Sequence, residues 1–109
     1  MSLNTEEKSA LKLFKAHLEN DLGKGLVDLK LFGSKARGDD TVFSDLDVLA
    51  VVADEDWQIS DTVYGLATEV LLQTGICISP KVISQKRLEK LSREDDSFMR
   101  NVQRDAVAV

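Results

Sequence analysis

Two periodicities alternate along the chain. Leu11, Phe14, Leu18 and Leu22 fall near helical spacing, with Lys12, Lys15 and Glu19 between them, which predicts an amphipathic helix with one buried stripe. Asn4 and Glu7 ahead of it supply the two halves of a capping box, and Gly23 and Gly25 stop it. His17 rides on this helix with no second ligand near it in sequence, and is expected to be structural. The period then changes to two. Val27, Leu29 and Leu31 alternate with Asp28, Lys30 and Phe32, the pattern of a half-buried strand. Gly33-Ser34 breaks this strand, and small and charged residues run on to Ser44. A second strand over 45–53 is almost continuously apolar from Val48, as in a strand buried on both faces.

The helical period returns within 54–74, where Val63, Leu66, Ala67, Val70 and Leu71 share a face. Asp54 and Ser60 are both candidate caps, and Gly75 is the stop. Trp57 and Ile59 are expected to pack near its start. Residues 76–84 read as a third strand, in which Pro80 indicates an edge or a bulge and Cys77 a small buried hydrophobe. Short helices follow around 85–92 and 96–104, and 106–109 forms a short strand or a docked end. The order predicts one α+β domain over 1–109 with a small mixed sheet and helices on one side. Its expected core is Leu29, Leu31, Val48, Val51, Val52 and Ile78, facing Leu11, Phe14, Leu18, Val63, Leu66 and Val70.

Composition narrows the functional classes. The 109 residues suit one domain. The net charge of -5 argues against general nucleic-acid binding, which normally needs a basic face to release counterions. One cysteine permits no internal disulfide and fits a reducing compartment. No apolar run approaches the ~20 residues that span a bilayer, and no leader-like segment stands at the start. The expectation is therefore a cytoplasmic protein.

The interruptions of the pattern carry the chemistry. Gly33 follows a strand directly, and Ser34 to Arg37 can form a first helical turn whose free N–H groups favour an anion. Glycine admits a phosphate close to the backbone, and the Ser34 hydroxyl adds a hydrogen bond. Asp45 and Asp47 are two residues apart on a strand and project to one face. Side by side they repel, a penalty that a divalent cation removes. Mg²⁺ prefers such hard ligands, completed by substrate phosphates and water. The phosphate seat ends the first strand and the acid pair begins the second. Antiparallel pairing would bring them together, with a triphosphate on the turn and in-line attack at phosphorus. Asp39 and Asp40 beside Gly38 read as turn formers.

Gly33-Ser34-Lys35-Ala36-Arg37-Gly38 followed by Ser44-Asp45-Leu46-Asp47 resembles the signature of the DNA polymerase β-type nucleotidyltransferase superfamily. The short chain is similar to its minimal nucleotidyltransferases, the small partners of HEPN-domain proteins. The resemblance is most specific over 31–52. It implies a nucleotidyltransferase-type fold, nucleotide binding by Gly33, Ser34, Arg37, Gly38 and Ser44, and catalysis and Mg²⁺ binding by Asp45 and Asp47. The activity implied is Mg-dependent transfer of a nucleoside monophosphate, AMP from ATP, to a hydroxyl of a protein or small acceptor. The implied partners are a nucleoside triphosphate and a HEPN-type or other protein. A sheet edge at Pro80 would also admit self-association.

The chain departs from the family at one point. A third carboxylate usually projects from the third strand, and 76–84 contains no Asp or Glu. Ser79 cannot serve as a base near neutral pH, and Lys81 has the wrong charge for a metal ligand; Lys81 could pair with either aspartate or with a phosphate. Three readings stand: slow transfer with two carboxylates, completion by a remote acid such as Glu94, Asp95 or Asp96, or nucleotide binding without transfer in an antitoxin-like partner module. A polymerase fragment is disfavoured by the acidic charge.

Overall fold

A computed structural model describes residues 3–37, 45–94 and 96–109. Helix α1 (Thr5–Leu22) begins at the expected capping box, with the Glu7 amide donating to Asn4 Oδ1 at 2.8 Å and the Asn4 amide to Glu7 Oε1 at 3.1 Å. After a 3₁₀ turn, β1 (Leu26–Phe32) leads into the five-residue helix α2 (Gly33–Arg37). Then come β2 (Leu46–Val52), α3 (Trp57–Thr74), β3 (Ile78–Ser84), α4 (Gln85–Arg93), α5 (Ser97–Asp105) and β4 (Val107–Ala108).

The four strands form one mixed sheet in the order β3-β2-β1-β4. β1 is antiparallel to β2 and to β4, and β2 is parallel to β3. The parallel step requires a crossover, which α3 supplies. Pro80 lies on the edge strand, where its missing N–H costs no ladder bond in the sheet.

Alternation sorts the sheet residues into two faces. Leu29, Leu31, Leu46, Val48, Ala50 and Ile78 face α1 and α3 in the main core, together with Phe14, Leu18, Val63 and Val70. Leu49, Val51 and Ile83 face the other way, against Val102 with Leu88, Leu91 and Phe98 around them. β2 is therefore buried on both sides, and every residue of the expected core is buried. The α+β class and mixed sheet are as expected. The placement of helices on one side holds for the long helices only, because the amphipathic α4 and α5 cover part of the second face with their Leu88, Leu91 and Val102 sides.

Three local expectations are corrected. Asp56 is the cap of α3, its Oδ1 accepting from the Ile59 amide at 2.8 Å. Trp57 is thus the first helical residue, ahead of the buried stripe, and is 75% exposed, while Ile59 packs on the core. Val27 is also exposed, because the register slips between Leu26 and Asp28 and takes it out of the alternation.

One buried ion pair fixes α2. Lys35 Nζ lies 2.7 Å from Glu7 Oε2, and both residues are almost inaccessible to water. The first helix cap and the Gly33–Arg37 turn are thereby joined through a single carboxylate, which also closes the capping box. Removing one member of such a pair leaves a buried charge without its counterion. Lys35→Met is expected to lower unfolding free energy by about 3–5 kcal/mol in urea titrations. The combined Glu7→Leu/Lys35→Met variant should recover most of that loss, and a loss under about 1 kcal/mol in Lys35→Met would contradict the account.

Candidate functional site

The antiparallel ladder of β1 and β2 ends with Phe32 opposite Asp47. Gly33 is the next residue and has φ +76°, a region that side chains rarely tolerate. Space imposes the same choice. A Cβ added at Gly33 would collide with Asp47 Oδ2 and lie 3.1 Å from its Cγ. The backbone that turns into α2 therefore presses directly on the Asp47 carboxylate. The sequence placed a phosphate seat and an acid pair in two strands, and the register brings Gly33 and Asp47 into contact range.

Asp45 immediately precedes β2 and is exposed, whereas Asp47 is half-buried. Across the parallel ladder Asp47 lies opposite Ser79, and the Leu46 amide donates to the Cys77 carbonyl at 3.0 Å. Cys77 is thus the residue beside Asp45. It is exposed, which corrects the expectation of a buried hydrophobe. β3 begins at Ile78 and not at residue 76, so Cys77 stands at the sheet's end, outside the core. Its thiol pKa is pushed up, first by desolvation, then by the Asp45 charge and a hydrogen bond to that carboxylate. Sequence reading missed this placement. The signal for it was available, because parallel pairing of 45–53 with 76–84 sets the start of one against the start of the other.

Backbone positions of Ser34 and Arg37 are those of α2, and their side chains lie outside the description. Gly38, Ser44, Asp39, Asp40 and Asp95 lie outside the described residues. Of the remote acids, Asp96 caps α5, accepting from the Phe98 and Met99 amides at 2.9 and 3.2 Å. Glu94 ends α4 with Lys90 within 4.0 Å. Among the described residues no group of three acidic, thiol or imidazole ligands gathers around a common point. Lys81 projects on the Asp47 face one pair further along, opposite Leu49, with its Nζ 6.0 Å from the Phe98 ring centre.

The donor set suits a hard divalent cation. Two carboxylates, one of them at the turn that would carry a phosphate, can hold Mg²⁺ that draws its remaining ligands from substrate and water. They would not form a closed protein cage.

The nucleotidyltransferase domain model matches residues 11–103, most of the chain. The chain belongs to the nucleotidyltransferase domain family. Similarity to individual members agrees. A Methanocaldococcus jannaschii protein, provisionally named a protein adenylyltransferase, is 38% identical over 96 residues, covering 88% of this chain and 90% of that protein. Among solved structures, one provisionally assigned as a minimal nucleotidyltransferase superposes with a TM-score of 0.58 at 23% identity, covering all of both chains. A toxin–antitoxin structure with AMP-PNP gives 0.55 at 20% identity, over 87% of this chain and 68% of that one. These two share the nucleotidyltransferase domain's fold.

Among the described glycines of this nucleotidyltransferase domain, Gly33 alone combines a positive φ with an obstructed Cβ position. Gly33→Ala combines an unfavourable φ with a collision against Asp47, and is expected to cost about 1–3 kcal/mol. Gly25 has open space, with its nearest neighbour Leu22 Cβ at 3.9 Å, so Gly25→Ala is the matched control. Thermal or urea unfolding of the two variants checks the difference, and equal losses would show that Asp47 does not constrain Gly33.

Proposed function

We propose that this domain transfers AMP from ATP to a hydroxyl group of a protein, with Mg²⁺, using Asp45 and Asp47. The observation that supports this most is the approach of the Gly33 turn to the Asp47 carboxylate. A triphosphate seated on Gly33 and Ser34 would lie beside the two carboxylates. Arg37, Gly38 and Ser44 belong to the same proposed nucleotide-binding element. The name of the Methanocaldococcus relative supports a protein as acceptor.

Each group has a defined task. Asp45 and Asp47 would hold the cation, which when bound offsets charge on the phosphates. The Gly33 turn offers backbone N–H groups to phosphate oxygens. The acceptor oxygen bonds to the α-phosphorus as the bond to the bridging oxygen of pyrophosphate breaks. Pyrophosphate leaves with that electron pair, and the acceptor's proton passes to water. A base positioned for that proton contributes about 10²–10⁴-fold in enzymes. Ser79 cannot take that role near neutral pH and β3 carries no carboxylate, so the reaction should be slow.

A second reading rests on the third strand, where Cys77 and Ser79 stand across from the two acids. In that reading the domain binds ATP and pairs with another chain, a HEPN-type protein or a second copy, without transfer. The toxin–antitoxin neighbours are compatible with a protein partner.

The two readings separate in one experiment. Protein, ATP and Mg²⁺ are incubated with a protein acceptor, and intact mass is read alongside ATP binding by calorimetry. The first reading expects an AMP-sized mass addition that falls by about 10²-fold or more in Asp45→Asn/Asp47→Asn, the scale of a metal's contribution. The second expects ATP binding with no addition. Transfer that survives the double variant would remove both aspartates from the mechanism.

A further inference from the structure

We propose that the cavity beside Lys81 is an acceptor subsite that takes an acidic, hydroxyl-bearing peptide segment. This rests on Asp45 and Asp47 being the reacting centre. The cavity is about 290 Å³ and is lined by Leu49, Lys81, Ile83, Arg87, Leu91 and Phe98, among others. Its place follows from the register. Leu49 follows Asp47 on the same face of β2, and Lys81 lies opposite Leu49 on β3. Phe98 spans the gap, edge-on to Phe32 at 5.7 Å and under Lys81 Nζ at 6.0 Å. Phe32 in turn is paired with Asp47. The cavity therefore lies mainly on the sheet face that carries Asp47, one to two residue pairs further along, and reaches round the β3 edge to Val82 and Tyr64 on the other face.

Its side of the carboxylates matters. The Gly33 turn lies toward β1, and the cavity lies toward β3. In an in-line displacement the nucleophile enters opposite the leaving group. A pyrophosphate leaving over the β1 turn requires an acceptor arriving over β3. The cavity volume accommodates a single side chain, and Leu49, Leu91 and Phe98 offer its body an apolar surface.

Charge selects the acceptor's surroundings. Residues 81–93 carry Lys81, Lys86, Arg87, Lys90 and Arg93 against Glu89, in a chain whose net charge is -5; Glu94, Asp95 and Asp96 follow directly, and Lys90 lies 4.0 Å from Glu94, so the excess of positive charge is concentrated at the Lys81 end. Each of these cations is exposed. The guanidinium of Arg87 is held by Glu55 at 3.4 Å, which leaves Lys81 as the cation of the cavity wall whose head rests on an aromatic ring. Carboxylates flanking the hydroxyl would meet this basic strip. The acidic remainder of the surface would repel a polyanion longer than the strip, so the arrangement favours an acidic peptide over RNA.

The test measures binding to the full chain at low salt, with Mg²⁺ and a non-hydrolysable ATP analogue present. One labelled pentapeptide has a tyrosine flanked by glutamates and the other a tyrosine flanked by lysines. The acidic peptide should bind at least about tenfold more tightly, a difference of ~1.4 kcal/mol. Lys81→Glu should abolish or invert that preference, Lys81→Ala should reduce it, and neither should change affinity for the ATP analogue more than twofold. Inversion by Lys81→Glu separates selection by charge from a loss of folding. Equal affinity for the two peptides, an unchanged preference in Lys81→Glu, or displacement of the acidic peptide by a short RNA at lower concentration would overturn the proposal. ATP-analogue binding without peptide preference refutes the subsite alone. Peptide preference without ATP-analogue binding refutes instead the reading of Asp45 and Asp47 as a nucleotide site.

Discussion

The antiparallel register of β1 and β2 is the constraint on which the site depends. It sets Phe32 opposite Asp47 and so leaves the next position no room for a side chain. A one-residue slip would reverse the face of every side chain on one strand. It would carry Asp47 to the face packed by α1 and α3 and move Val48 and Ala50 to the face covered by α4 and α5. The register that makes β2 a central strand thus also determines which face Asp47 takes. Core formation and site formation are here one event.

That register alone would not orient the backbone after Gly33. The buried pair of Lys35 and Glu7 does so by anchoring α2 to the start of α1. Burying two charges is costly, and a pair of apolar residues would often hold a helix as well. The pair adds direction, because Glu7 is already held by Asn4 and can meet Lys35 in only one orientation. Lys35, although it lies within the motif, faces the protein interior. In the proposed function a phosphate at this turn would then meet backbone N–H groups and not the Lys35 ammonium.

Much of this was legible in the chain. The 3.6 and 2.0 periods located the long elements because burial on one face enforces them, and the alternation read over 27–32 falls within β1. Gly33 and Asp47 were readable as neighbours once antiparallel pairing was assumed. The misplaced residues share a cause. Trp57, Val27 and Cys77 sit at an element start, a register slip and a strand entry, where position depends on partners distant in sequence. The Glu7–Lys35 pair was hidden for a similar reason, since each residue had an adequate local explanation. The covering of the second sheet face by α4 and α5 depends on how two short helices pack, which their own pattern does not state.

The entry of β3 bears on how many cations the site can support. Across from Asp45 and Asp47 stand a thiol and a hydroxyl. Desolvation and the neighbouring Asp45 charge push the Cys77 thiol up. Two carboxylates carry the charge that balances one divalent cation. A second cation would have to be held by substrate phosphates, water and neutral protein groups, which compete poorly with bulk hydration for Mg²⁺. If Asp45 and Asp47 are the ligands, the arrangement favours a single cation shared with the triphosphate. Activation of the acceptor then falls to its own approach and orientation. On that footing the wall of Lys81 and Phe98 has more influence over rate than it would beside a complete set of acids, because positioning would have to replace proton removal.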